Sequence, residues 1–312
     1  MKHFLDIADF TREEIENLLE LAKKTKLAYK NGVINPILKD KVLAMVFQKP
    51  SLRTRVSFDM AMRTLGGDAL YLSPQEIGLG KRESIADVAR VLSGYVHIIM
   101  ARVFAHDHIL QLAKWSSVPV INGLSDYNHP CQALADTLTI YEEFGDLAGK
   151  TISYIGDGNN VALSLMKTVI KLGAHFRIAS PEGYNLAPQE IEANTTIAEA
   201  MGGSVKEYRS PQDAARNADV IYTDTWTSMG QEEEARHREK VFPPYQVNSE
   251  LLKLAHTHAI VMHCLPAHRG QEITDAVADG PQSRLFPQAE NRMHAQKAIL
   301  IELLTGGESH AK

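Results

Sequence analysis

Cysteine is scarce. Cys131 and Cys264 are the only two in 312 residues, too few for a disulfide framework, so stability must come from a buried core. A chain of this length, 44% hydrophobic, can supply one. No apolar run approaches the roughly 18 residues of a membrane-spanning helix. The opening residues, Met1 to Asp6, lack the apolar stretch and cleavage site of a secretory signal, which predicts a cytoplasmic location. An excess of basic charge is missing as well. Lys plus Arg total 33 against 38 for Asp plus Glu, so the net charge is −5, and nucleic acid is a poor candidate for the main partner. An anionic substrate needs only a local cluster of positive charge and stays possible. Internal repeats and low-complexity tracts are absent, and the one block of like charge is Glu232-Glu233-Glu234.

What the chain does have is alternation. A capping box at Thr11 and Glu14 opens a helix to about residue 30. Short apolar runs at 41–47, 69–72, 96–101 and 118–121 read as strands, and the segments at 53–65, 84–95, 106–115 and 130–144 read as helices between them. The alternation restarts with strands at 151–155, 176–179, 220–222 and 260–262, separated by helices that include 188–201 and 211–217. A last helix is expected from about 291 to 304, and periodicity leaves open which half it packs on. The expected fold class is α/β: two doubly wound domains with parallel sheets and an active site in the interdomain cleft. The break at 145–150 divides residues 1–148 from 149–289, the first part being joined by residues from about 290 to 312.

Five segments carry chemistry, and each falls at the carboxyl end of an expected strand. Ser51-Leu52-Arg53-Thr54-Arg55 opens a helix, where unpaired backbone N–H groups, two hydroxyls and two guanidinium groups suit an anion. A serine cap followed by solvated arginines is the plainer alternative. His129-Pro130-Cys131-Gln132 offers donors and acceptors for an amide-like group, although a lone histidine can also merely brace a loop. Gly156-Asp157-Gly158-Asn159-Asn160 begins like a dinucleotide fingerprint, but Val161 stands where the third glycine belongs, which argues against a nicotinamide site. Asp224, in Asp-Thr-Trp-Thr-Ser-Met-Gly, is placed to hold an ammonium or simply to cap a loop. His263-Cys264-Leu265-Pro266-Ala267-His268-Arg269-Gly270 invites a zinc reading, but Pro266 breaks any helical face and no fourth ligand is near, so no metal is expected.

Ser-Leu-Arg-Thr-Arg, His-Pro-Cys-Gln, Asp-Thr-Trp-Thr-Ser-Met-Gly and His-Cys-Leu-Pro-Ala-His-Arg-Gly resemble, in this order, the signature blocks of the ornithine carbamoyltransferases. The last two blocks are the more specific to that branch. One departure is Leu52, where the family usually has threonine. The resemblance implies transfer of a carbamoyl group from carbamoyl phosphate to L-ornithine, giving L-citrulline and phosphate. It implies that Ser51, Leu52, Arg53, Thr54, Arg102, His129, Pro130, Cys131, Gln132, Cys264, Leu265 and Arg292 form the carbamoyl phosphate site. Asn160, Asp224, Ser228 and Met229 would bind ornithine, and Cys264, Arg102 and His129 would act catalytically. It further implies a homotrimer or an assembly of trimers, a C-terminal helix folded back on the first domain, and no cofactor. Two alternatives follow from the same residues: a transferase for another amine such as putrescine or acetylornithine, and a catalytically inactive ligand-binding relative.

Overall fold

A computed structural model describes residues 3–227 and 234–306. The chain divides into two compact units, Met1–Leu138 with Asn291–Lys312, and Thr139–Glu290. The division falls inside the helix Pro130–Phe144 rather than after it.

The first unit is built on β1 (Val42–Phe47), β2 (Asp68–Leu72), β3 (Ile98–Arg102) and β4 (Val120–Leu124). All pair in parallel, in the order β2-β1-β3-β4. β3 is buried along its whole length, as expected of a parallel strand covered on both faces. Chain direction across the sheet reverses between β1 and β3, and such a switch point is where open α/β sheets take ligands. Between Ala101 and Arg102 the register with β4 shifts, an irregularity of the kind that re-aims a side chain at a strand end. The helix Arg12–Lys30 opens with the expected capping box, Thr11 with Glu14.

The second unit carries β5 (Thr151–Ile155), β6 (His175–Ala179), β7 (Ser204–Tyr208), β8 (Val220–Thr223) and β9 (Ile260–His263). Its parallel order is β7-β6-β5-β8-β9, with a switch point between β5 and β8. Its core includes Ile155, Ile221, Val247, Val261 and Ile273. β7 was not expected from the sequence. As an edge strand it has one buried valine followed by the exposed Lys206 and Glu207, and no apolar run to announce it.

The last helix, Leu285–Thr305, begins six residues before the expected start at 291. Pro287 lies in its first turn, where proline is tolerated because the N–H has no helical partner. From Asn291 onward this helix belongs to the first unit, and Lys26 Nζ donates to Asn291 Oδ1 at 2.7 Å to pin it there. No helix of the described residues is long and apolar enough to cross a membrane.

Candidate functional site

In the first unit, the sequence after β1 turns directly into the helix Leu52–Thr64. Ser51 caps it, its Oγ accepting from the Thr54 N–H at 3.3 Å. Thr54 is fully buried, and Arg292 from the last helix donates Nη2–H to Thr54 Oγ1 at 2.8 Å. Two residues 238 positions apart thus meet at one helix start. Arg53 Nε is buried with no hydrogen-bond partner among the described residues, a donor suited to an anion. Arg55 is exposed and its guanidinium lies 4.1 Å from the Tyr71 ring centroid, so of the two arginines in the motif only Arg53 has a buried donor to offer. Leu52 is 76% exposed, so its side chain packs against little.

Arg102 ends β3 and is only 6% exposed. His129 and Gln132 follow β4 and are buried. Burial, then the positive charges of Arg292 and Arg102, hold His129 well below the usual histidine value. The imidazole is therefore neutral at pH 7 and offers one N–H donor. Gln132 Nε2 donates to the buried Asp136 Oδ1 at 2.7 Å, which leaves Gln132 Oε1 to accept. Pro130 is buried at the helix start. Cys131 has a different task from its neighbours. Its thiol donates to Asn122 O at 3.3 Å, it is fully buried, and burial pushes it up to about 12, so it is inert packing.

In the second unit, residues after β5, β8 and β9 converge. Asn159 caps the helix Asn160–Lys171, with Oδ1 accepting from Val161 N and Ala162 N at 3.0 Å each. Its amide donates to Asp224 Oδ2 at 2.9 Å. Asp224 Oδ1 accepts from Cys264 Sγ at 3.1 Å. Both carboxylate oxygens are thereby oriented, and Asp224 is 7% exposed. Gly158 is required beside them: a Cβ there would lie 2.4 Å from Leu186 N. Asn160 is half-buried as the first residue of the helix, next to Asn159. Ser228 and Met229 lie outside the described residues.

The loop after β9 is held from below. Leu265 has φ +58°, a backbone conformation few leucines adopt. Its N–H donates to His263 Nδ1 at 2.9 Å, so the histidine proton sits on Nε2 and points to Glu272 Oε1 at 3.0 Å. Glu272 Oε1 also accepts from His268 N at 2.5 Å. His263 and Glu272 are both fully buried. A buried ion pair joins Arg238 Nη1 to Asp157 Oδ2 at 2.7 Å, with the same guanidinium donating to Trp226 O at 2.7 Å. Burial raises the Asp157 carboxyl against the pull of Arg238.

Asp224, His263 and Cys264 bring one potential metal-ligand atom each to within 4.8 Å of one another. Both ring nitrogens of His263 and the Cys264 thiol are already engaged in the hydrogen bonds above. Sequence reasoning missed Asn159, Arg238 and Glu272. For Asn159 the signal was present: an asparagine directly before a helix is an N-cap.

A family model described as the aspartate/ornithine carbamoyltransferase carbamoyl-P binding domain matches residues 2–142, and one described as the Asp/Orn binding domain matches residues 148–303. Among curated proteins, an ornithine carbamoyltransferase of Thermococcus kodakarensis is 55% identical over 303 residues, covering 97% of this chain and 96% of that one. An anabolic ornithine carbamoyltransferase of Pyrococcus furiosus is 54% identical over 306 residues, with 98% and 97% covered. Among solved structures, ornithine carbamoyltransferase from Pyrococcus furiosus superimposes with a TM-score of 0.95 at 54% identity, covering 98% of this chain and 97% of that one.

Proposed function

The chain belongs to the aspartate/ornithine carbamoyltransferase family, and from that premise we propose that it transfers the carbamoyl group of carbamoyl phosphate to the side-chain amine of L-ornithine, releasing L-citrulline and phosphate. The observation that carries the reading is the cationic pocket of the first unit, where Arg102 and Arg292 converge on the buried Thr54 and His129. A phosphate takes donors from the helix start at Ser51 to Thr54, including the Leu52 backbone N–H, and from Arg53, Arg102 and Arg292. Neutral His129 donates to the carbamoyl oxygen and Gln132 Oε1 accepts from the carbamoyl NH2. The Pro130 and Cys131 backbone continues that turn.

Ornithine is assigned to the second unit. Asp224, oriented by Asn159 and Cys264, pairs with a cationic amino group; Asn160, Ser228 and Met229 complete its recognition. The reacting amine resembles a lysine with a pKa near 10.4, so at pH 7.5 only about one molecule in a thousand is neutral, a cost of about 4 kcal/mol. The Leu265 carbonyl and Cys264 sit on a loop fixed by His263 and Glu272, which suits them to orient the neutral amine. The amine nitrogen bonds to the carbamoyl carbon, and the carbonyl oxygen takes up negative charge. Arg102, His129 and Thr54 stabilise that oxyanion. The bond to the phosphate oxygen then breaks, phosphate leaves among the arginines, and the amine gives up a proton to the departing phosphate. Cys264 orients and forms no covalent intermediate. Carbamoyl phosphate is already an activated mixed anhydride, so no metal and no organic cofactor is assigned.

The similarity to the anabolic ornithine carbamoyltransferase of Pyrococcus furiosus supports a role in arginine biosynthesis, and a cytoplasmic location is proposed with it. A homotrimer is proposed from the family. The strongly exposed Tyr95, at 76%, and Phe104, at 51%, supply apolar surface for it. The test is citrulline formation with ornithine, N-acetylornithine and putrescine compared. Ornithine is expected to exceed N-acetylornithine by about a hundredfold or more in kcat/KM, since acetylation removes the charge that Asp224 pairs with, and to exceed putrescine, which lacks the α-carboxylate. Preference for another amine, or no turnover with any, would overturn the assignment.

A further inference from the structure

The long last helix carries a second feature, away from the anion pocket. Lys297 is 2% exposed. Its ammonium has neither a hydrogen bond nor an ion pair among the described residues and lies 4.2 Å from the centroid of the Tyr29 ring. Lys26 shows how the same helix contact treats a lysine with a partner, donating to Asn291 at 2.7 Å. Buried charges are normally paired, because an isolated one loses its hydration without compensation. That loss pushes the Lys297 ammonium down to about 8, which still leaves it mostly charged at pH 7.

Lys297 faces a cavity of about 100 Å³ within the first unit. Leu21, Ala28, Ile37, Leu65 and Ile301 form its aliphatic walls. The threonine hydroxyls in the lining are spoken for, Thr25 Oγ1 donating to Ala22 O and Thr64 Oγ1 to Met60 O, and Lys24 and Asn35 add polar groups to it. Tyr29 and Val33, 42% and 58% exposed, stand at the mouth, so the cavity opens to solvent between the helix Arg12–Lys30 and the segment after it. A dry cavity of about 150 Å³ takes a benzene-sized guest, so this one admits something slightly smaller. Its chemistry asks for one negative charge at one end and an apolar body at the other.

We propose that this cavity binds a short-chain aliphatic carboxylate of about three or four carbons, its carboxylate paired with Lys297 Nζ and its tail against Leu21, Ile37, Leu65 and Ile301. The probe is sodium butyrate, titrated calorimetrically into the full chain in saturating inorganic phosphate, which occupies the separate anion pocket. Saturable binding of one butyrate per chain is expected. Butyramide, of the same shape without charge, should bind at least about tenfold more weakly, as should butyrate to Lys297→Met. Ala28→Leu, which fills the cavity and keeps the lysine, should abolish binding, and carries the test if Lys297→Met does not fold. Butyrate should also slow reductive methylation of Lys297, read by mass spectrometry of its peptide. Absence of saturable heat at tens of millimolar, equal affinity for butyramide, equal affinity in Lys297→Met and Ala28→Leu, or unaltered methylation of Lys297 would each overturn the proposal.

Discussion

The two units solve opposite electrostatic problems with the same sheet architecture. The first gathers positive charge at its switch point: Arg292 bonds the buried Thr54, Arg53 offers a buried donor next to it, and burial, then Arg292 and Arg102, keep His129 neutral. The second gathers one negative charge, Asp224, and fixes it from both sides through Asn159 and Cys264. Cations that await an anion can be contributed from distant parts of the chain, since each is long and reaches independently. A carboxylate that must present one geometry to an amine is instead held by near neighbours on adjacent strand ends. On the proposed assignment, the difference teaches that affinity for the anion is distributed over several groups, whereas recognition of the amine rests on one oriented group.

That contrast can be broken experimentally. Asp224→Asn should have the largest effect, because it removes the only charge assigned to the amine. Breaking a buried pair costs about 3–5 kcal/mol, so kcat/KM for ornithine should fall by about a thousandfold. Steady-state kinetics with carbamoyl phosphate varied should show its KM within about threefold of the parent, in keeping with a separate region.

Arg53→Ala comes next. One charge-assisted contact of about 1.5–3 kcal/mol is lost from several, so carbamoyl phosphate affinity should fall roughly 10- to 100-fold, measured by calorimetry, and ornithine recognition should be little changed. Unaltered affinity would mean that the buried Arg53 donor faces something other than phosphate.

His129 sharpens the comparison through pH. Its folded value is depressed, so below about 6.5 the unfolded chain takes up a proton that the folded chain refuses. Stability should therefore decline as pH falls below about 6.5, by up to about 1.4 kcal/mol per pH unit from this group, until the folded value is reached. Urea midpoints at pH 7.5 and 5.5 would read the slope, and His129→Gln should reduce it. An equal slope in the variant would assign the effect elsewhere.

The smallest effect is expected at Leu52. With its side chain 76% exposed, replacing it removes little packing. A threonine hydroxyl there competes with water for the same phosphate, so Leu52→Thr should change the KM for carbamoyl phosphate by less than about tenfold. A larger gain would show that this position limits the anion pocket.

These expectations were unevenly legible in the sequence. Ser51 to Thr54 and His129 to Gln132 stand out because their polar groups are contiguous and follow apolar runs, and the fold's alternation places such segments at strand ends. Arg102 and Arg292 are single residues in ordinary surroundings. Only the likeness to a family singled them out, and the contact of Arg292 with Thr54 depends on a helix returning across the chain, which periodicity left undetermined. Asn160 attracted notice by its motif, while its neighbour Asn159 makes the hydrogen bond to Asp224. The N-cap pattern chooses between adjacent asparagines only once the helix start is fixed to the residue. β7 escaped because an edge strand with polar faces lacks the apolar signal that marks buried strands. Glu272 and His263 lie nine residues apart, too far for any turn or helix rule to connect them.

The most direct measurement is a paired calorimetric titration of carbamoyl phosphate into Asp224→Asn and Arg292→Ala. If anion and amine are read by separate regions, Asp224→Asn should bind within about threefold of the parent, while Arg292→Ala, which loses a charged donor and uncovers the buried Thr54 hydroxyl, should bind at least about thirtyfold more weakly. Equal losses in the two variants, or a loss confined to Asp224→Asn, would contradict the account.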